Sequence, residues 1–223
     1  MNKFGNILTY QELLTVPLGE NNEPLVSLNL ICPDIICEYE KTDMIPLTGN
    51  NIYVRKTVAE KLCRVQEHIK KISPEFQLRV VYGYRHPDIQ KKYFEQKKQE
   101  LLNKENISDE NINTAVHSFV AVPEVAGHPT GGALDLTIIE DGKEIDMGTG
   151  IADYSDEEKI KTNSGDITPK QMQNRMILHD AMLREEFAPF YGEWWHYSYG
   201  DREWAYFYGK ETSLYSPLFF EKK

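Results

Sequence analysis

Two separated segments of this chain supply the residue types of a catalytic zinc site. Gly-His-Pro-Thr-Gly-Gly-Ala-Leu-Asp gives His128 and Asp135, and Glu-Trp-Trp-His gives Glu193 and His196. Two imidazoles and one carboxylate make three protein ligands, the number a catalytic zinc ion takes when a fourth position is left for water. A structural site would want four ligands, usually rich in cysteine, and none is evident. Glu193, just ahead of His196, is the natural candidate to take the proton of that water. The pattern implies one zinc ion per chain, with His128, Asp135 and His196 as ligands and Glu193 as base.

Each residue alone has a plainer reading. Asp135 could be a buried carboxylate bonded to backbone amides, and His196 a core histidine in an aromatic cluster; together with His128 and Glu193 they point to a metal. Arg85 closes Val-Val-Tyr-Gly-Tyr-Arg-His-Pro. A cation at a strand end can support a carbonyl oxygen or tetrahedral oxyanion, where preorganised charge is worth ~3–4 kcal/mol of barrier. A surface salt bridge is the alternative. His86 precedes Pro87 and a helix start, which suits a solvent or cap role, and His68, His117 and His179 sit among charged or helical surface positions.

Positioning these groups makes demands on the elements around them. On a regular strand Asp135 shares a face with Ala133 and Thr137, while Leu134, Leu136 and Ile138 turn to the core. Glu193 and His196 would fall on opposite strand faces, so Glu193 is expected in the turn beside Gly192 or on a bulge. Gly131-Gly132 lets the backbone pass close to an ion or another strand.

Val58, Leu62, Val65, Ile69 and Ile72 recur at helical steps and predict an amphipathic helix ended by Pro74. Residues 76–84 predict a strand running into Arg85, and a second helix follows Pro87. The polar stretch from Asn103 to Asn113 reads as a surface loop. Residues 131–139 predict a strand, and Glu140-Asp141-Gly142-Lys143 a hairpin turn. Thr168, Pro169 and Gln171 mark a capped helix start. That helix is expected to carry Met172, Met176, Leu183 and Phe187 on one side and to end near Ala188-Pro189, with Trp-Trp-His-Tyr-Ser-Tyr as a strand. Residues 1–50, rich in Gly, Asn and Pro, predict irregular structure with at most a short strand. Without regular βαβ alternation the chain reads as α+β, a single domain over 1–223 with a mainly antiparallel central sheet flanked by helices.

Composition narrows the partners. The 223 residues are 40% hydrophobic and 27% charged, as in a soluble globular protein. A net charge of −10 argues against nucleic acid or an anionic membrane as partner. The start of the chain has no long apolar run of a signal peptide, and three cysteines without zinc-finger spacing suit reduced thiols. A Cys32–Cys37 pair is the weighed alternative. These features predict a cytoplasmic location.

Tyr-Gly-Tyr-Arg, His-x-x-Gly-x-Ala-x-Asp and Glu-Trp-Trp-His, in that order, resemble the zinc D-alanyl-D-alanine dipeptidases. That family belongs to the D,D-peptidases, which include D,D-carboxypeptidases and share a fold with the Hedgehog signalling domain. The resemblance runs from about Val80 to Tyr197. It implies that His128, Asp135 and His196 hold zinc, that Glu193 is the catalytic base and that Arg85 stabilises the tetrahedral transition state. It further implies a substrate-binding role for Asp153, matching an aspartate that engages the substrate's free amino group but displaced by one residue, and for Tyr39 as a pocket tyrosine. The implied partner is a small peptide, a D,D-dipeptide. One departure stands out: the family serine two positions before the first histidine is Ala126 here, which bears on D-Ala-D-Ala selectivity. The rival readings are a D,D- or L,D-carboxypeptidase acting on muropeptides, and a non-catalytic zinc module that binds peptide.

Overall fold

The computed structural model describes residues 5–104 and 112–220. Its first fifty residues hold more structure than their composition predicts. Helix α1 (Tyr10–Leu14) starts at a capping box in which Thr9 Oγ1 accepts from Glu12 N–H and the Glu12 carboxylate accepts from Thr9 N–H. The apolar run beyond Pro24 divides into strand β1 (Leu25–Ser27) and helix α2 (Leu28–Ile31), followed by strand β2 (Ile36–Cys37) and helix α3 (Ile45–Thr48). Strand β3 (Tyr53–Arg55) pairs antiparallel with β1.

At the end of β3 the buried Arg55 joins distant parts of the chain. Its Nη2 lies 2.8 Å from Glu20, and its Nε donates to the carbonyl of Thr130 at 2.7 Å. Nη2 also donates to Ser216 O at 3.1 Å. One guanidinium thus ties the N-terminal segment and the C-terminal segment to the turn that carries His128.

Helix α4 (Lys56–Lys70) buries Val58, Leu62, Val65 and Ile69 against the sheet, as their spacing predicts. Ile72 is an exception at 59% exposed, because the helix closes at Lys71, whose N–H bonds back to His68 and Ile69. Strand β4 (Phe76–Tyr82) follows, then helix α5 (Pro87–Lys104) and helix α6 (Ile112–His117). Of the expected loop from Asn103, residues 105–111 lie outside the described part, and its end is the start of α6.

Strand β5 (Ala133–Glu140) turns through Asp141 and Gly142, both at positive φ, into strand β6 (Lys143–Glu144). Helix α7 (Pro169–Arg184) opens on the expected Thr168/Gln171 capping box. Its inward face differs from the expected one. Asn174, Arg175, Leu178 and Met182 are buried, while Met172, Met176 and Leu183 are only half-buried. Asn174 and Arg175 turn inward because backbone carbonyls meet them: Asn174 donates to Asp146 O, and Arg175 to Met147 O, Lys159 O and Lys161 O.

Strands β7 (Ala188–Pro189) and β8 (His196–Ser198) and helix α8 (Arg202–Tyr208) complete the described elements. The tryptophans expected in a strand lie in the turn before β8. The main sheet runs β2-β4-β5-β8-β7 with β6 beside β5, and only β2–β4 is parallel. Its mixture with helices is α+β, mainly antiparallel as predicted. Helices α4 and α7 cover one face with Leu62, Val65, Leu178 and Met182. A second cluster, with Leu13, Phe94, Leu101, Val116 and Val125, gathers α1, α5 and α6.

The cysteines depart from the reduced-thiol expectation. Cys32, just past α2, and Cys63 on α4 form a disulfide with Cα atoms 5.7 Å apart, and Cys37 is the free thiol. The packing of α2 on α4 sets this pairing, which removes one support for a cytoplasmic setting. Among the described residues no helix is long and apolar enough to cross a membrane.

Candidate metal centre

Strand register brings two of the predicted ligands together. Asp135 on β5 stands opposite His196 on β8, and its Oδ1 is 2.9 Å from His196 Nδ1. His128 reaches the same carboxylate from a short 3-10 turn, His128–Thr130, with Nε2 3.3 Å from Oδ2. Gly131, left-handed at φ 73°, reverses that turn into β5. A Cβ there would strike Leu25, and one at Gly132 the Tyr199 carbonyl. The glycine pair therefore admits neighbouring protein, and the turn carries His128.

His128 Nδ1 lies 2.7 Å from the carbonyl of Gly83. A carbonyl only accepts, so Nδ1 holds the proton and Nε2 presents its lone pair to the centre. One ligand atom from each of His128, Asp135 and His196 falls within 4.8 Å of the other two. Two imidazole nitrogens and a carboxylate are a donor set that suits zinc.

The charges are those of a buried, coupled cluster. Burial opposes ionisation of Asp135, yet the two histidines outweigh it and hold the carboxyl well below its usual range. Burial pulls His128 down to about 4. For His196 burial is overcome by the bond and charge of Asp135, and the ring is pushed up to about 9.

Glu193 sits in the turn ahead of β8, its N–H bonded to Phe190 O and its carbonyl accepting from His196 N–H. Its carboxyl is pushed up to about 7, chiefly by burial, against the pull of His196, Tyr154 and Arg85. Arg85 donates from its backbone to His128 O at 3.1 Å. Its guanidinium bonds Gln90 at 2.8 Å and stacks 4.4 Å from the Tyr82 ring centre. Its Nε is buried without a partner among the described residues, and the group stays cationic because Tyr82 and Asp135 more than offset burial.

All five of these residues line one cavity of about 340 Å³, which continues to α5, α6 and the segment around Phe119–Val125. The remaining two predicted residues, Tyr39 and Asp153, are not among those that line it. Tyr39 bonds Thr48 and Asn51 and packs on Tyr82. Asp153 is exposed, accepts from Ser155 N–H, and is not among the cavity-lining residues.

The next residue, Tyr154, is a wall residue that the sequence reading missed; its phenol acts on Glu193. Ala152, at φ 54°, sets the turn that presents it. Lys41 was also missed: it lies 4.9 Å from the Tyr93 ring centre, and burial and Arg85 lower its pKa. So were His117 and Glu203. The Val122 N–H donates to His117 Nδ1 at 3.2 Å, and burial holds that ring neutral, near 4. Nothing in local sequence marks these residues, since each reaches the wall through tertiary packing.

An imidazole-carboxylate cluster beside a buried glutamate and arginine is the equipment that a metallopeptidase needs. A family described as D-ala-D-ala dipeptidase matches residues 39–213, and the chain belongs to it. A D-alanyl-D-alanine dipeptidase of Synechocystis sp. is 27% identical over 223 residues, covering 88% of this chain and 90% of that protein. Among solved structures, the LdcB LD-carboxypeptidase aligns with a TM-score of 0.49 at 21% identity, covering 85% of this chain and 76% of that one. A mutant of the vancomycin resistance D,D-pentapeptidase VanY, in complex with Zn(II), aligns with a TM-score of 0.44 at 17% identity, covering 91% of this chain and 97% of that one.

Proposed function

We propose that this metallopeptidase is zinc-dependent and hydrolyses D-alanyl-D-alanine or a related short D,D-dipeptide. The observation that carries the reading is the convergence of His128, Asp135 and His196 within 4.8 Å at one wall of a cavity that also holds Glu193 and Arg85. His128 through Nε2, the Asp135 carboxylate and His196 would hold the ion. What zinc supplies when bound is Lewis acidity, which polarises a carbonyl and makes water an effective nucleophile near neutral pH.

Glu193 takes the proton of the attacking water and returns it to the leaving amine. Its burial keeps the carboxylate basic enough for both transfers. Tyr154 orients that carboxylate and lowers its pKa. The Arg85 guanidinium, stacked and fixed by Gln90, supports the negative charge that develops on the scissile oxygen. Ala126 removes a hydroxyl from the cavity wall, which leaves this chemistry intact and relaxes the demand for D-alanine.

The test is to purify the protein, measure about one zinc per chain, and assay D-Ala-D-Ala cleavage with and without chelator. Absence of cleavage in the zinc-loaded protein would exclude the reading. A second reading, a D,D- or L,D-carboxypeptidase acting on muropeptides, draws on the extension of the cavity past Ala126 towards Phe119 and Val120. A muropeptide pentapeptide cleaved faster than the dipeptide would favour it.

A further inference from the structure

The cavity wall holds a carboxylate that neither metal binding nor base catalysis uses. Glu203 lies in the first turn of α8, half-buried, and is near enough to His196 and Glu193 for all three charges to interact. Its carboxylate has no hydrogen bond or ion pair among the described residues. The other carboxylates of the wall are committed: Asp135 to the two histidines, Glu193 to the reacting end, and Glu100 to Lys97 at 3.6 Å. Capping of α8 is not its task either, because Asp201 already accepts from Trp204 N–H. Burial pushes this carboxyl up to about 8 against the pull of His196, so a cation that enters the cavity beside it would favour its ionised form.

We propose that Glu203 receives an ammonium group of the substrate and so selects peptides that carry one beside the scissile bond. The inference rests on the peptidase reading of the cavity. Lys41 and Arg85 line the same space, so a zwitterionic short peptide meets both signs of charge. Two sources share the required chemistry: a free α-amino terminus, or the side-chain amine of a lysine-like residue. Asp153, the aspartate that the sequence offers for an ammonium, does not line the cavity, whereas Glu203 does.

The experiment compares kcat and KM of the zinc-loaded wild type, Glu203→Gln and Glu203→Asp on two substrate pairs. One pair is D-Ala-D-Ala and its N-acetyl form; the other is D-Ala-D-Lys and D-Ala-D-norleucine. The wild type is expected to prefer the charged member of one pair by about tenfold or more in KM. Glu203→Gln should collapse that preference to within about threefold, through KM and not kcat, and Glu203→Asp should keep part of it. A collapse in the first pair assigns the α-ammonium, and one in the second assigns the side chain.

Preferences that survive Glu203→Gln, no preference in the wild type, or an equal loss of kcat on all four peptides would overturn the proposal. If Glu203→Gln melts below the assay temperature, Glu203→Asp decides, since an undiminished preference there is equally fatal. If the wild type cleaves none of the four, the peptidase reading fails. The same peptides titrated calorimetrically into the zinc-loaded wild type and Glu203→Gln then judge Glu203 alone: a lost charge preference supports it, and equal affinities refute it.

Discussion

Asp135 and His196 face each other across the antiparallel strands β5 and β8, with Oδ1 and Nδ1 2.9 Å apart. The register of two buried strands therefore fixes the spacing of two predicted metal ligands. In the metal-free protein that contact keeps a proton on His196 up to about pH 9. A metal ion must displace it, because ligands bind deprotonated. Zinc affinity of the stripped protein should rise with pH towards about 9 and binding should release about one proton, measured by calorimetry in buffers of different ionisation enthalpy.

Glu193→Gln should retain zinc while kcat falls by ~10²–10⁴, the range typical of losing a general base. The base must be ionised, so kcat/KM rises with pH on its acid side. Without metal the Glu193 pKa is about 7, and a bound cation moves it lower. Since Tyr154 lowers the same pKa, Tyr154→Phe should shift the acid limb to higher pH. A pH–rate profile of the three proteins checks both statements.

Arg85→Ala should lower kcat by ~10²–10³ with a smaller change in KM, as expected when charge stabilisation in the transition state is lost. Arg85→Lys should not restore it, because the guanidinium sits over the Tyr82 ring while its Nη1 donates to Gln90, a combination a single ammonium does not reproduce. Steady-state kinetics on D-Ala-D-Ala separates the two parameters.

Glu20→Gln should destabilise the fold by about 1.5–3 kcal/mol at neutral pH, the usual worth of hydrogen bonds to a charged group. Glu20 is held down to about 2 from 4.5, chiefly by Arg55 and Ser216 against burial. A depressed folded pKa contributes stability above pH 4.5 that is lost as pH falls through about 2. Urea denaturation across that window should slope less steeply in the variant than in the wild type.

The convergence of the candidate metal-binding residues was legible because they lie in short runs with turn and strand signals around them. Glycines flank His128, the core alternation of Leu134, Leu136 and Ile138 frames Asp135, and the facing demands on Glu193 and His196 placed Glu193 in a turn. Helix α4 was legible through its apolar stripe. Helix α7 misled because Asn174 and Arg175 are polar yet inward, satisfied by carbonyls from loops distant in sequence. Tyr154, Lys41 and Glu203 were invisible for the same reason: their place on the cavity wall follows from tertiary packing. Cys32 pairs with Cys63 across a helix contact that spacing does not encode.

The most direct test of the metal-dependent account is stepwise return of zinc to chelator-stripped protein, with D-Ala-D-Ala hydrolysis followed at each addition. The account predicts that activity climbs linearly and levels at about one equivalent, and that Asp135→Ala recovers none of it. Hydrolysis that persists in stripped protein, or that returns equally in Asp135→Ala, would contradict it.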